Sequence, residues 1–384
     1  MQLTSSAPGT TLRIPTQEKN LLFVVPKPPP IGGSPLTVQA MLEELAFYPS
    51  VHVTLISTSP ALDVRKKMTG FNFEKVRRSL AILPRYVGEI PHCDAVLVFA
   101  NDLFAITLAP LLLLLARLFR KPFYLKPVGA GLDLYINAQN WFFRAYLLGV
   151  LRATNGILTQ TRLLKDDLNK LGCPNTYYLP GCRTLSPISP VRKDGLRDMR
   201  IIFLGHITRL KGPLILLKAL KFLPQICDEP VTCDFYGPIH DEIHDEFVEE
   251  LKAVPNAHYC GVAEPGTGHQ LISEYDALVL PTYYDTEGHP GVLIEAMQAG
   301  VPVISTQVRT FPELITNGLN GFLVPTKDSH ALAEAIHLLA TNPPLRRKMG
   351  EANQRKGQEF RAEMVVAQML RIVFPGAELA REQK

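Results

Sequence analysis

Short apolar runs alternate with longer, partly polar stretches along most of the chain. The runs Leu21 to Pro26, Ala95 to Ala100 and Val301 to Thr306 are each six residues long, a length and composition typical of buried strands. The stretches between such runs are long enough for helices, as in Pro213 to Leu223 and Ser329 to Ala340. The alternation occurs twice, so the pattern predicts an α/β protein with two doubly wound parallel sheets.

Shifts in composition mark the predicted domain limits. Residues 1–20 are polar and lack the apolar segment of a signal peptide, which predicts a disordered tail. Residues 21–185 are the predicted N-terminal Rossmann-like domain, and the Pro- and Ser-rich residues 186–199 are the predicted linker. Residues 200–360 are the predicted C-terminal Rossmann-like domain, and residues 361–384 are expected to add a last helix.

Composition and charge narrow the functional class. The chain has 384 residues, of which 46% are hydrophobic and 20% charged, so it can bury two cores. Its 40 Lys and Arg against 36 Asp and Glu are too small an excess to indicate nucleic-acid binding. The six cysteines include no C-x-x-C pair, which favours a reducing cytoplasm. No apolar run reaches the roughly 18 residues of a membrane span.

A turn rich in glycine and proline lies between a predicted strand and a predicted helix near residue 290. The glycines allow the backbone to approach a ligand closely, and a proline is favourable in the first helical turn. First-turn amides have no partner within the helix and therefore suit an anion such as phosphate. The predicted anion-binding residues are Gly288, His289, Pro290, Gly291, Val292 and Leu293.

Two carboxylates flank this turn, Glu287 before it and Glu295 within the helix. Carboxylates repel phosphate but accept hydrogen bonds from paired hydroxyl groups. An anion site between two groups that bind diols matches the chemistry of a nucleotide sugar. The alternative is an ordinary strand-turn-helix unit with Glu295 on the solvent face.

The string from Glu287 to Ile304 resembles the E-x7-E signature of family-four glycosyltransferases. The resemblance continues through Pro312-Glu313 and residues 317–325. It implies the two-domain GT-B fold, in which a nucleoside diphosphate sugar binds in the cleft between the domains. It also implies that Glu295 holds the ribose, that Glu287 holds the sugar, and that the last helix crosses back to the N-terminal domain.

The segment Gly205 to Gly212 is similar to that family's G-R-x-x-x-x-K-G motif, with His206 in place of the arginine. Lys211 and Arg209 are the predicted cations that stabilise the diphosphate leaving group in the transition state. The alternative is a solvated helix start. The resemblance also implies that the Gly32 and Gly33 amides approach the donor phosphates from the other domain.

The remaining candidate residues do not indicate a metal site. No D-x-D pair follows a strand, and His240 and His244 lack the glutamate that a zinc helix carries after its first histidine. We therefore expect no metal and no cofactor. Asp133 follows the turn Gly129-Ala130-Gly131 and is a candidate ligand for a sugar or acceptor hydroxyl; otherwise it is a helix cap.

Basic residues and apolar segments occur close together in the N-terminal half. The leucine-rich segment Phe104 to Phe119 is predicted as one helix and is followed by Arg120 and Lys121. A basic face with apolar side chains suits an anionic membrane surface, but a buried helix and a solvated face explain the same pattern. The other residues concerned are Arg65, Lys66, Lys67, Lys75, Arg77, Arg78, Arg85, Trp141, Phe142, Phe143 and Arg144.

The combined prediction is a retaining glycosyltransferase of the hexosyltransferase type. It would act on a glycan or lipid-linked acceptor in cell-surface polysaccharide, lipopolysaccharide or glycolipid synthesis, in the cytoplasm or peripherally on the inner face of the membrane. No residue is assigned as a nucleophile. The alternatives are a nucleotide-sugar epimerase of the same fold and a catalytically silent subunit that binds a sugar nucleotide.

Overall fold

The structure contains two α/β domains, each built on one parallel sheet, with a cleft between them. It is a computed structural model and describes residues 18–26, 32–58, 81–184 and 198–382. Most of the predicted tail and of the predicted linker lies outside these ranges.

The N-terminal domain, within the described residues, is built on six parallel strands. These are β1 (Lys19–Val25), β2 (Val51–Ser57), β3 (Ala95–Ala100), β4 (Phe123–Pro127), β5 (Gly156–Thr159) and β6 (Thr176–Tyr178). They lie in the order β2-β1-β3-β4-β5-β6. The helices are α1 (Gly33–Leu45), α2 (Leu83–Glu89), α3 (Asp102–Thr107), α4 (Ala109–Leu118), α5 (Leu132–Asn137), α6 (Trp141–Arg152) and α7 (Arg162–Lys170).

The described part of the C-terminal domain has a second sheet of six parallel strands. These are β7 (Met199–Leu204), β8 (Val231–Tyr236), β9 (Ala257–Tyr259), β10 (Ala277–Leu280), β11 (Val303–Thr306) and β12 (Gly321–Val324), in the order β12-β11-β10-β7-β8-β9. The helices are α8 (Pro213–Phe222), α9 (His244–Lys252), α10 (Gly268–Ile272), α11 (Gly291–Ala299), α12 (Ser329–Ala340), α13 (Pro343–Gly357) and α14 (Ala362–Val373).

Both faces of the N-terminal sheet are buried. In β1, Leu22 and Val24 belong to the core on one face, whereas Leu21, Phe23 and Val25 belong to the core on the other. Side chains of a strand alternate between faces, so a strand covered on both sides must be apolar at every position. This explains why the strands are continuous apolar runs in the sequence.

The last helix, α14, packs against the N-terminal domain. Val365, Val366 and Met369 share a core with α1 and with Leu21 and Phe23 of β1. The side-chain amide of Gln368 donates a hydrogen bond to the Tyr178 carbonyl oxygen at 2.7 Å. The chain therefore returns to its first domain after completing the second.

The structure corrects three predicted boundaries. The leucine-rich segment forms two helices, α3 and α4, because Pro110 has no amide to continue the hydrogen-bond ladder. Strand β1 begins at Lys19, inside the predicted tail, since Lys19 already pairs with Val51 of β2. Strand β7 begins at Met199, the last residue of the predicted linker, where the Met199 amide binds the carbonyl oxygen of Pro230.

The strand order reverses at one point in each sheet, between β1 and β3 and between β7 and β10. Ligands of doubly wound sheets bind in the crevice beyond the carboxyl ends of the strands at such a point. The two crevices face each other across one cleft. None of the helices in the described ranges is both long and apolar enough to cross a bilayer.

Candidate functional site between the two domains

A cleft of about 830 Å³ lies between the domains. It is lined by loops that follow strands of both sheets, and it contains most of the predicted site residues. Those on its walls are Gly32, Gly33, His206, Lys211, Glu287, Gly288, His289, Pro290, Gly291, Val292 and Glu295. Leu293, Arg209 and Asp133 are not among the described residues that line it.

Two helices begin at this cleft, one from each domain. Helix α1 has 13 residues and begins at Gly33, where an added Cβ atom would have no neighbour within 4 Å. Helix α11 has 9 residues and begins at Gly291. Each helix presents unpaired first-turn amides and the positive end of its dipole, so the cleft is suited to an anion such as a diphosphate.

Glu287 is held in place by polar groups on both sides of its carboxylate. Oε1 forms an ion pair with Lys211 Nζ, and Oε2 accepts a hydrogen bond from the Thr282 hydroxyl at 2.8 Å. The Thr310 hydroxyl donates to the Glu287 backbone carbonyl oxygen at 2.9 Å. The side chain of Glu287 is 8% exposed and that of Lys211 is 25% exposed. The structure thus brings together the acid and the cation that were predicted for one ligand.

Lys211 reaches this position because of the glycine that follows it. Gly212 has φ 76°, in the left-handed region that favours glycine. A Cβ atom at residue 212 would collide with the backbone carbonyl group of Pro281 at the end of β10. The close approach of these two loops places Lys211 beside Glu287.

Glu295 is paired with an arginine that the sequence analysis did not identify. Arg183 Nε donates to Glu295 Oε1 at 2.6 Å, and both side chains are nearly buried. Glu295 Oε2 lies beside Gly268, where any Cβ atom would collide with it. The carboxylate is therefore fixed on one oxygen by Arg183, and the other oxygen lies against a backbone position without a side chain.

His206 lines the cleft but is engaged with a second histidine. Its Nδ1 lies 2.8 Å from Nε2 of His240, so one ring donates a hydrogen bond to the other. Arg209 instead forms an ion pair with Glu246, with about half of each side chain exposed. Of the two predicted cations, Lys211 therefore lies at the cleft and Arg209 on the surface, and His206, which replaces the motif's arginine, also lies at the cleft.

The imidazole of His289 points into the packing between the domains, although its backbone lines the cleft. The side chain is 1% exposed, and Nε2 lies 3.3 Å from a carboxylate oxygen of Glu313. The ring meets Tyr178 and Phe360 edge-to-face. Burial lowers the pKa of His289. The His289 carbonyl oxygen accepts a hydrogen bond from the Gln160 side chain at 2.9 Å.

Asp133, the candidate ligand for a sugar or acceptor hydroxyl, is not among the described residues that line the cleft, and it lies in an ion-pair network between the domains. Arg309 Nη1 donates to Asp133 at 3.1 Å and to the Ala130 carbonyl oxygen at 3.1 Å. Arg309 Nη2 also contacts Asp167 at 2.6 Å. The arginine of the C-terminal domain thus neutralises the carboxylate, which leaves Asp133 a role in holding the domains together.

Lys126 is a buried cation at the cleft that no sequence pattern indicated. It is the penultimate residue of strand β4, is 4% exposed, and donates a hydrogen bond to the Leu179 carbonyl oxygen. Its ammonium group lies 5.7 Å from the centre of the Phe99 ring. Burial lowers the pKa of Lys126 to about 7. In the sequence, Lys126 stands alone in an apolar run, and such a run predicts only a buried strand. The fold shows that the lysine reaches the cleft.

The C-terminal half of the chain matches a known family. Residues 191–356 match the model described as Glycosyl transferases group 1. This stretch includes Lys211, Glu287 and Glu295 and ends within α13. The match covers the domain that holds the predicted nucleotide-sugar motif.

Curated relatives match over similar lengths. The D-inositol 3-phosphate glycosyltransferase of Thermobifida fusca is 27% identical over 192 residues, which are 47% of this chain and 43% of that protein. The amylovoran biosynthesis glycosyltransferase AmsK of Erwinia amylovora is 29% identical over 211 residues, or 51% of this chain and 48% of that protein. The chain therefore spans somewhat less than half the length of the curated relatives it matches.

A solved structure matches nearly the whole chain. HepE from Anabaena, solved in complex with UDP and glucose, has a TM-score of 0.68 at 17% identity and covers 92% of this chain and 98% of its own. At this identity the likeness shows the fold alone. The predicted fold, two Rossmann-like parallel-sheet domains of the GT-B type facing a cleft, is confirmed.

Proposed function

We propose that this protein is a retaining glycosyltransferase that moves a hexosyl group from a nucleoside diphosphate sugar to a hydroxyl acceptor. The observation that carries the proposal is the arrangement around the start of α11. There the first-turn amides, the Lys211–Glu287 pair and the carboxylate of Glu295 lie in one cleft. The amides and Lys211 match the diphosphate of such a donor, Glu287 matches the sugar, and Glu295 matches the ribose. The UDP-bound structural neighbour and the family match support the same ligand class.

In the proposed reaction the bond between the anomeric carbon and the diphosphate oxygen breaks. The acceptor oxygen attacks from the same face, and its proton passes to a donor phosphate oxygen. Charge accumulates on the leaving diphosphate, and the amides of α1 and α11 with Lys211 stabilise it most in the transition state. Glu287 orients the sugar and Glu295 the ribose. The chemistry requires no metal and no cofactor in this account.

Binding is the first test of this proposal. The purified protein is screened by thermal shift with UDP, GDP, ADP and their hexose derivatives, because a ligand of the folded state must raise its stability. One nucleoside diphosphate and its sugar should raise the melting temperature. The absence of any shift at millimolar nucleotide would contradict a donor site in the cleft.

Product analysis tests the reaction itself. Proton NMR of the product formed with the selected donor should show the donor's anomeric configuration, and turnover should survive EDTA. An inverted product would contradict retention. Loss of turnover with EDTA, restored by Mn²⁺, would contradict a metal-free diphosphate site. Isomerised donor formed without an acceptor would identify an epimerase.

We further propose that the acceptor is a glycan or a lipid-linked glycan of cell-surface polysaccharide, lipopolysaccharide or glycolipid synthesis. We also propose that the enzyme contacts an anionic membrane peripherally, on the inner, cytoplasmic face of that membrane. Large apolar side chains are exposed on two helices of the N-terminal domain, including Leu114 and Leu118 on α4 and Trp141 and Phe142 on α6. Arg117, also on α4, donates a hydrogen bond to the carbonyl oxygen of Ala153 just after α6. The predicted basic residues between 65 and 78 lie outside the described residues.

Cosedimentation with phosphatidylglycerol liposomes tests this surface. The double variant Trp141→Ser with Phe142→Ser should remain in the supernatant, and high salt should release the wild type, since salt screens charges beyond about 8 Å at physiological ionic strength. The matched control is Leu319→Ser, which removes a half-exposed leucine of the C-terminal domain. Equal sedimentation of the double variant and the wild type would contradict contact through this surface.

A further inference from the structure

Arg183 is a buried arginine at the bottom of the cleft, immediately before the segment that joins the two domains. It is 7% exposed, although arginine is seldom so deeply buried. It precedes the predicted linker in the string Leu-Pro-Gly-Cys-Arg and belongs to no motif that the sequence analysis used. Its position lies between the beginnings of α1 and α11.

The contacts of Arg183 occupy only part of its guanidinium group. Nε donates to Glu295 at 2.6 Å. Nη1 donates to the hydroxyl of Thr37 in α1 at 2.8 Å and to the Cys182 carbonyl oxygen at 2.9 Å. Nη2 donates no hydrogen bond to any residue within the described ranges. A donor therefore remains available on the side of the group that faces α11.

The free side of this guanidinium lies against the first residue of α11. A Cβ atom at Gly291 would collide with Nη2 of Arg183. A cation at the beginning of a helix is unfavourable, because the helix dipole is positive there. An anion bound at the same place would interact favourably with both the first-turn amides and the arginine.

The cleft also lacks a permanent charge where the resembled motif has an arginine. His206 holds that position, and an imidazole, unlike a guanidinium group, is not a permanent cation. Arginine remains charged at every physiological pH. Arg183 approaches the diphosphate position from the opposite wall, since it comes from the end of the N-terminal domain.

We propose that Arg183 is the second permanent cation of the diphosphate subsite, acting together with Lys211. When a nucleoside diphosphate binds, Nη2 donates to a phosphate oxygen above the start of α11, while Nε keeps Glu295 oriented towards the ribose. This inference rests on the proposed function, because it assigns a residue to the donor of that reaction. In a purely positioning role, by contrast, Arg183 would affect binding of the ribose only through Glu295 and would not contact the phosphate.

Calorimetric titration with a nucleoside, its monophosphate and its diphosphate distinguishes the two roles. The wild type is first titrated with the uridine, guanosine and adenosine series. The series whose diphosphate binds most tightly is then titrated into Arg183→Met, and the affinities of the two proteins are compared. The diphosphate should bind about 10- to 100-fold more weakly to the variant, as is typical when a charge-assisted hydrogen bond is lost. The nucleoside, which loses only the support that Nε gives to Glu295, should be weakened by a much smaller factor than the diphosphate, and Arg183→Lys should recover part of the diphosphate loss.

Two further variants control for folding. Arg381→Gln removes another arginine that is paired with a glutamate, Glu44, but lies away from the cleft, and it should bind all three probes like the wild type. If Arg183→Met does not fold because Glu295 is left unpaired, Arg183→Met with Glu295→Gln is compared with Glu295→Gln alone. The phosphate-dependent loss should persist in that comparison.

The possible results separate the inference from the function. Equal losses for nucleoside, monophosphate and diphosphate would show that Arg183 acts only through Glu295, which overturns the inference and leaves the proposed function standing. A wild type that binds no diphosphate more tightly than its nucleoside would contradict the proposed function itself.

Discussion

At the scale of single residues, the charges of the cleft occur in pairs whose members are far apart in sequence. Glu287 and Glu295 were recognisable because they belong to one short string with a fixed spacing. Their partners differ in this respect: Lys211 belongs to a second motif, whereas Arg183 is 112 positions from Glu295 and belongs to none. Sequence reasoning therefore pointed to both acids and to Lys211, whereas Arg183 could be recognised only from the fold.

The buried Lys126 yields a prediction about stability and pH. Its pKa is about 7 in the folded protein against an ordinary value of 10.5, because burial disfavours the charged form. As pH falls from about 10.5 to about 7, the unfolded chain takes up a proton that the folded chain does not, so this residue destabilises the fold increasingly. Below about pH 7 the penalty is constant.

Lys126→Met should therefore raise the urea midpoint of unfolding, and the gain should be larger at pH 7 than at pH 9. Each pKa unit corresponds to about 1.4 kcal/mol, so the difference between the two pH values should be on the order of 2 kcal/mol. Unfolding curves of the wild type and the variant at both pH values measure it. A gain that is equal at both values, or larger at pH 9, would contradict a lowered lysine pKa.

At the scale of elements, the sequence predicted where α11 begins, but it did not predict that α11 packs against α13. The glycines and the proline before it are local signals, so the sequence placed the start of the helix near residue 290, and the helix begins at Gly291. The helix is held from behind by α13, where Gly350 and Gly357 bring the two backbones together. Gly350 lies inside α13 and carries no local signal, since an interior glycine normally indicates only a weaker helix, whereas Gly357 is the last residue of that helix.

A pair of glycine substitutions tests this difference. A Cβ atom at Gly350 would collide with the carbonyl oxygen of Gly300 at the end of α11. Gly350→Ala should therefore lower stability by about 1–3 kcal/mol, because the two helices must separate. In contrast, Gly149 lies exposed in α6 with no atom within 4 Å of an added Cβ.

Gly149→Ala should raise stability by about 0.5–1 kcal/mol through helix propensity alone. Thermal unfolding of both variants beside the wild type provides the comparison. A Gly350→Ala variant as stable as the wild type would contradict the close contact between α11 and α13, and a destabilised Gly149→Ala would contradict an open helix surface at residue 149.

At the scale of the whole molecule, the alternation of apolar runs was sufficient to predict two parallel-sheet domains. It could not predict how the domains meet, because those contacts join residues more than a hundred positions apart. Glu313 accepts hydrogen bonds from the amides of Arg162 and Leu163 at the start of α7, both at 2.8 Å. Together with Arg309 and Asp133, it fixes the width of the cleft.

We propose that this cleft binds a nucleoside diphosphate sugar through two carboxylates with different tasks, Glu295 for the ribose and Glu287 for the sugar. The most direct test is calorimetric titration of the wild type, Glu295→Gln and Glu287→Ala with the selected nucleoside diphosphate and with its sugar. Glu295→Gln should weaken both ligands by a similar factor, since both contain the ribose. Glu287→Ala should weaken the sugar donor and leave the free nucleotide unchanged or tighter, because it releases Lys211. Binding of both ligands to both variants with wild-type affinity would contradict the account.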